Sequence, residues 1–217
     1  MYDCSRLYFQ LRADQASVPA LRALNGQFTL PAILLQPPRG EKADAKQLLG
    51  LVEAGQALDA AVIIEDDIEL AQTSGADGVH LSSSVAQIVQ YEKAREALAA
   101  DSIVGVNVGL SRHDAMTLGE AGADYIAFDA APPMASDASI NGDEQAELLA
   151  WWAEVFEIPC VGLTAGTPER AQRLIEIGAD FVGLDAGDAV GETGLKDLIS
   201  TFARQLSATS DRTLVHG

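Results

Sequence analysis

The chain has 217 residues, 48% of them hydrophobic, which excludes a disordered segment and is enough for one α/β domain with a substantial core. Its 32 acidic residues against 14 basic ones give a net charge of −18. The negative electrostatic field of such a protein repels nucleic acid and anionic membranes. No apolar run approaches the roughly 18 residues that span a bilayer, so we expect neither nucleic acid nor a membrane among its partners.

Short apolar runs alternate with amphipathic segments along the whole chain, and we interpret them as strands and helices. The predicted strands are Leu7–Leu11, Ala32–Gln36, Ala61–Ile64, Gly78–Leu81, Ile103–Val106, Tyr125–Phe128, Cys160–Leu163 and Phe181–Leu184. The predicted helices are Val18–Leu24, Ala45–Leu58, Ile68–Thr73, Val85–Ala99, Ser111–Ala121, Asp143–Phe156, Thr167–Ile177 and Leu195–Leu206.

Eight strand–helix units without an intervening linker predict a single (β/α)8 TIM barrel over residues 1–206. An open doubly wound sheet is the alternative, but no glycine-rich dinucleotide loop follows the first strand. Residues 207–217 are polar, and we expect them to form a flexible tail. The segment from Ala130 to Gly142, rich in Ala, Pro, Ser and Asp, is predicted to be a mobile loop.

A Gly-Ala-Asp motif occurs three times, beginning at Gly75, Gly122 and Gly178. Each copy follows a predicted helix and leads into a short apolar run. The pattern predicts a helix that ends at a glycine in the left-handed conformation, then a tight turn, then a buried strand. The copies are expected to mark every second unit of the barrel. Two serine-containing segments, Ser82–Ser84 and Ser111–Asp114, are predicted to cap the helices that follow them.

Five stretches give the chain a resemblance to the thiamine phosphate synthase and thiazole tautomerase family. The resemblance implies the TIM-barrel fold and a reaction that joins an aminopyrimidine diphosphate to a thiazole phosphate. It also implies Mg2+ as the cofactor, because the departing pyrophosphate carries concentrated negative charge. The stretches are Leu34–Gln36, Ile63–Asp66, Gly75–Leu81, Gly122–Ile126 and Ile158–Leu163.

The resemblance also implies site residues, although many positions depart from the family pattern. Gln36 matches the family glutamine, with Arg39 and Lys42 near the positions of its arginine and lysine. Asp66 matches a metal ligand, and Glu65 replaces the amide beside it. After β-strand residues 78–81, the chain has Ser82, Ser83, Ser84 and Val85, and Val85 stands at the position of the family's second acidic ligand. Asn107 begins the segment that replaces a serine–histidine motif. Thr164 begins the segment that replaces a phosphate-binding glycine pair.

Most departures remove positive or phosphate-binding groups. We therefore expect weak or absent thiamine phosphate synthase activity. Two alternatives stay open: an active synthase that uses Asp66, Arg39 and Lys42, or a binding or regulatory barrel for a cationic metabolite or a metal.

Side chains two residues apart share one face of a strand, so Asp129 and Asp185 are predicted to point into the mouth of the barrel. Together with Glu65 and Asp66 they would form an acidic cluster suited to a cation or a cationic small molecule. The alternative is that all four are solvated loop carboxylates. His80, in mid-strand, is expected to be a hydrogen-bonded core residue.

The two cysteines, Cys4 and Cys160, lie far apart without a metal-ligand spacing, and we expect reduced thiols in a cytoplasmic protein. The expected partner is a small molecule, and a homo-oligomer is possible.

Overall fold

The computed structural model describes residues 2–13, 17–36, 45–130, 138–163, 166–187 and 191–213. In this part of the chain, eight parallel strands close into a barrel in the order β10-β2-β4-β5-β6-β7-β8-β9, which confirms the predicted TIM barrel. The strands are β1 Tyr2–Asp3, β2 Leu7–Arg12, β3 Phe28–Thr29, β4 Ala32–Gln36, β5 Ala61–Glu65, β6 Gly78–Leu81, β7 Ile103–Asn107, β8 Tyr125–Asp129, β9 Cys160–Leu163 and β10 Phe181–Asp185.

Helices follow the barrel strands and cover the outside of the barrel. The largest differences from the predicted helices are that α6 already begins at Ala138, inside the segment predicted as a loop, and that α8 continues past Leu206. None of the described helices is both long and apolar enough to cross a membrane. The helices are α1 Ser17–Arg22, α2 Ala45–Gln56, α3 Ile68–Ser74, α4 Gln87–Ala97, α5 Arg112–Glu120, α6 Ala138–Val155, α7 Pro168–Ile177 and α8 Glu192–Thr213.

The Gly-Ala-Asp motifs have the predicted role. Gly75 ends α3 with φ 70° and ψ 25°, in the left-handed region, and Gly122 and Gly178 also have positive φ. The motifs precede β6, β8 and β10, which are alternate strands of the barrel.

The aspartate of each motif also joins its strand to the preceding one, at the amino-terminal end of the barrel. Its carboxylate accepts a hydrogen bond from a backbone N–H near the start of the preceding barrel strand. The sequence alone did not indicate this contact. The pairs are Asp77 with Val62 at 2.7 Å, Asp124 with Val104 at 2.7 Å, and Asp180 with Cys160 at 2.9 Å.

Side chains alternate between a large core under the helices and a smaller one inside the barrel. Three rings meet inside the barrel: the hydroxyls of Tyr8 and Tyr125 are 2.6 Å apart, and His80 Nδ1 is 2.8 Å from the Tyr125 hydroxyl. Tyr125 has room because residue 105 is glycine, where a Cβ would lie 1.9 Å from the tyrosine Cζ. The prediction of a hydrogen-bonded core histidine at position 80 is confirmed.

Two local predictions were incomplete or wrong. β1 and β3 form a small parallel two-stranded sheet that the sequence did not indicate. The serines 82–84 do not cap α4, whose N-cap is Ala86, without a side-chain capping bond. Ser111 does cap α5, because its hydroxyl accepts a hydrogen bond from the N–H of Asp114.

Candidate active site at the carboxyl ends of the strands

Polar side chains stand at the carboxyl-terminal ends of most barrel strands, the end that forms the active site in TIM-barrel enzymes. Six strands end on such a residue beyond an apolar stretch. Because side chains alternate along a strand, these residues point to the same side as the barrel-interior residues two positions earlier. They are Arg12, Gln36, Glu65, Asn107, Asp129 and Asp185, on β2, β4, β5, β7, β8 and β10.

Gln36 and Glu65 contact each other, as neighbours on adjacent strands. Gln36 Nε2 donates to Glu65 Oε1 at 3.2 Å, while Gln36 Oε1 is buried without a hydrogen-bond partner among the described residues. Burial raises the pKa of the Glu65 carboxyl, and the hydrogen bond from Gln36 opposes this effect. The charges of Asp66 and Asp185 raise the same pKa further, whereas Arg12 lowers it.

Asp66, the predicted metal ligand, holds the turn after β6. Its backbone has φ 55°, a conformation uncommon for residues other than glycine. Its Oδ1 accepts a hydrogen bond from the N–H of Ser82 at 2.8 Å, and its own N–H donates to the carbonyl of His80 at 2.9 Å. One carboxylate oxygen is therefore already used within the protein.

A cleft of about 300 Å³ lies beside Asp66 and is lined by Ser82, Ser83, Ser84 and Lys93 among others. Val85, which the resemblance implies to stand in place of a second acidic ligand, is fully exposed to solvent. The cleft thus offers hydroxyl groups and one ammonium group next to a single carboxylate.

Asn107 and Asp185 are bound to backbone groups of their own loops. Asn107 Oδ1 accepts from the N–H of Gly109 at 2.8 Å, and Asp185 Oδ1 accepts from the N–H of Gly187 at 2.8 Å. Asp129 is half-buried at the end of β8. Asp66 and Asp185 both act electrostatically on Glu65, so the structure places these two predicted acidic residues near Glu65.

Arg39, Lys42 and Thr164 lie outside the described residues, so their predicted roles stay predictions. The structure adds three basic residues near the carboxyl ends of the strands that sequence reasoning missed: Arg12, Lys93 and Arg170. Arg12 ends a strand whose other residues are mostly apolar, which was the available signal. Lys93 and Arg170 lie within helices, where a basic residue is ordinary.

Arg170 is linked to the barrel through Gln145, a fully buried residue of α6. Gln145 Nε2 donates to the carbonyls of Phe128 at 2.8 Å and Leu163 at 2.7 Å, at the ends of β8 and β9. Its Oε1 accepts from Arg170 at 2.6 Å. One amide thereby fixes two strand ends and the first turn of α7.

The described residues by themselves form a poor site for Mg2+. This ion prefers carboxylate, phosphate and water oxygens in octahedral geometry. Asp66 has one oxygen engaged by Ser82, and burial favours the protonated form of Glu65. Across the described ranges, no group of three or more His, Cys, Asp or Glu side chains is arranged to hold a metal ion.

Comparison with known proteins shows to which family the chain is related. The sequence profile described as thiamine monophosphate synthase matches residues 21–185. The chain is 39% identical to the thiamine-phosphate synthase of Erythrobacter litoralis over 170 residues, 76% of this chain and 78% of that protein. It is 43% identical to that of Rhodospirillum centenum over 133 residues, 61% and 62% of the two chains.

The fold is shared with solved structures as well. The thiamine phosphate pyrophosphorylase from Pyrococcus furiosus superposes with a TM-score of 0.69 at 22% identity, covering 94% of this chain and 97% of that one. With the profile match and the sequence identities above, this chain belongs to the thiamine monophosphate synthase family.

Proposed function

We propose that this protein keeps the barrel and a small-molecule site of its family but catalyses thiamine phosphate formation weakly or not at all. The observation that carries the proposal is the turn after β6, where Asp66 stands beside Ser82–Ser84 and the exposed Val85. The second acidic ligand implied by the family resemblance is replaced by a side chain that cannot bind Mg2+.

The loss of a metal ligand affects the reaction because of the charge that the leaving group develops. Departure of pyrophosphate builds up negative charge, which a metal ion and nearby cations must stabilise. At the described ends of β5 and β10 the chain instead presents Glu65, Asp66 and Asp185. The negative charges of Asp66 and Asp185 near a leaving pyrophosphate would oppose the reaction.

A direct coupling assay tests the proposal. Purified protein is mixed with aminopyrimidine diphosphate, thiazole phosphate and Mg2+, and thiamine phosphate is measured, with the Erythrobacter litoralis synthase as positive control. We expect little or no product. Turnover near that of the control, lost in an Asp66→Asn variant, would refute the proposal.

A gain-of-function variant makes the test sharper. Val85→Asp restores a carboxylate beside the cleft that contains Asp66, and we expect it to increase Mg2+ binding measured by calorimetry. Val89→Asp, which introduces the same charge on the exposed side of α4, is the matched control and is expected to have no effect. Equal Mg2+ binding by both variants would show that position 85 is not the missing ligand.

An active synthase is the second candidate. It is favoured by Arg12, which lies at the rim and acts on Glu65, and by the 39% identity to a curated synthase. Arg12 could then take part of the role that the resemblance assigns to other cations. Mg2+ binding, a cytoplasmic location and a homo-oligomeric state stay predictions.

A further inference from the structure

Two neighbouring helices, α5 and α6, carry apolar side chains on their outer surface. Met116 of α5 is 42% exposed and Val155 of α6 is 59% exposed, and they are two of the five exposed large hydrophobic residues in the described part of the chain. Trp151, about one turn before Val155, is half-buried and packs edge-on against Phe156, with ring centroids 5.5 Å apart. A group of exposed apolar and aromatic side chains, unlike a single one, indicates an interaction surface.

The two helices are in direct contact, so these side chains form one patch. Gly119 of α5 faces Trp152 of α6, where a Cβ at position 119 would lie 2.9 Å from the tryptophan Cη2. Arg112, at the start of α5, lies over Trp151, with its Cζ 4.8 Å from the ring centroid. Its guanidinium forms no ion pair with any acidic side chain among the described residues. Arg112 is therefore an uncompensated positive charge at one edge of the apolar patch.

The exposed face of α5 has an order of charges that is complementary to itself. Arg112, Met116 and Glu120 are spaced four residues apart, so they share one face of the helix, and all three are exposed. This face runs from positive through apolar to negative. Arg112 and Glu120 are roughly 12 Å apart along the helix axis, which is too far for an ion pair within the helix. An identical face that runs in the opposite direction places each charge opposite an unlike one.

We propose that this face of α5, with Trp151 and Val155 beside it, is the contact between two copies of the chain related by a two-fold axis. The axis passes near Met116, and α5 of the second copy runs antiparallel, so that Arg112 of each copy meets the partner's Glu120. The apolar side chains of the two copies cover one another between these ion pairs. The net charge of −18 opposes association at long range, and the paired charges offset that repulsion at the contact. This inference does not depend on the proposed function.

Sedimentation equilibrium of the full chain tests the proposal. We expect a particle of twice the 22.8 kDa of the single chain. Met116→Glu should raise the dissociation constant of the dimer by about tenfold or more, because two carboxylates would then face each other at the centre of the contact. Leu49→Glu, which introduces the same charge at a 43% exposed position of α2, is the matched control and should leave the dissociation constant unchanged. Circular dichroism verifies that both variants are folded.

A charge exchange tests the orientation of the two copies. Arg112→Glu should weaken the dimer, and the double variant Arg112→Glu with Glu120→Arg should recover part of the lost affinity, because the unlike charges again face each other. Arg204→Glu, on the exposed side of α8, changes the net charge by the same amount as Arg112→Glu and should have no comparable effect.

Three results would overturn the inference. They are a single-chain mass of the wild type at every concentration, equal effects of Met116→Glu and Leu49→Glu, and a double variant that associates no better than Arg112→Glu. The first of these would leave the patch to a different protein. None of the measurements requires substrate or Mg2+, so their outcome is separate from that of the coupling assay.

Discussion

Asp77 and Val62 are joined by two hydrogen bonds: Asp77 Oδ2 accepts from the N–H of Val62 at 2.7 Å, and the N–H of Asp77 donates to the carbonyl of Val62 at 2.8 Å. The contact ties the start of β6 to the start of β5. Asp124 and Asp180 repeat it on alternate strands.

We therefore expect Asp77→Ala to lower the free energy of unfolding by about 1–3 kcal/mol, because the N–H of Val62 loses a charged acceptor. Urea denaturation followed by circular dichroism measures the change. Asp101→Ala, in an exposed turn, is the control and should differ from the wild type by less than about 0.5 kcal/mol. Similar effects of both substitutions would mean that the contact does not stabilise the barrel.

Substitution of Gly105 by alanine is expected to destabilise the barrel interior. The new Cβ would overlap the Tyr125 ring, and overpacking of this kind costs about 1–3 kcal/mol or more. The control is Gly50→Ala in α2, where the nearest atom to a new Cβ is a Val18 methyl at 3.8 Å. That change should be neutral or stabilising, since alanine favours a helix by about 1 kcal/mol over glycine. Thermal unfolding of both variants distinguishes the two outcomes; equal melting temperatures would contradict the overlap.

His80 makes the stability depend on pH. Burial lowers its pKa to about 4, although the charge of Asp66 opposes this shift. Between about pH 4 and pH 6.5 the unfolded chain binds a proton at this residue that the folded protein does not bind. The contribution of uncharged His80 to the free energy of unfolding is therefore complete above about pH 6.5. It declines as the pH falls to about 4, by up to about 3 kcal/mol.

Urea denaturation at pH 7 and pH 4.5 measures this dependence, and a His80→Gln variant should lose less stability than the wild type between the two values. Glu65 also titrates in the acid range, with the opposite sign, because burial raises its pKa. The difference between variant and wild type isolates His80, since Glu65 is common to both. His113→Gln, on the exposed side of α5, is the control. Parallel stability changes in wild type and His80→Gln would contradict the prediction.

Gln145→Leu should reduce stability by about 2–4 kcal/mol, because two strand-end carbonyls and the Arg170 guanidinium lose a buried partner. Gln172→Leu, in which a partly exposed amide is removed from α7, is expected to cost less than about 1 kcal/mol. Differential scanning calorimetry gives both values. A loss at position 145 no larger than that at position 172 would show that the amide does not hold the strand ends.

The interiors of the strands could be predicted from the sequence because their residues are buried and apolar, whereas the ends of the strands were harder to predict. Five predicted strands stop one residue short, and in each case the added residue is polar: Arg12, Glu65, Asn107, Asp129 or Asp185. Backbone pairing continues through such residues irrespective of side-chain polarity, whereas an apolar pattern ends before them. The residues that the pattern leaves out are those that form the rim.

Other structural features could not be predicted from the residues around them in the sequence. β1 and β3 have two residues each, too few for a periodicity to show. The serines after β6 have the composition of a helix cap, but the backbone of Ser82 is bound to Asp66 and the helix begins later, at Gln87. Gln145 is a polar residue in a helix, and its burial depends on carbonyls from two strands distant in sequence.

The three aspartates that join alternate strands lie at the amino-terminal ends of those strands, opposite the rim that carries Glu65 and Asp185. Evolutionary change at the rim is thereby separated from the contacts that hold the barrel closed. A duplicated gene could exchange one ligand-binding residue after another while its product remained folded at every step.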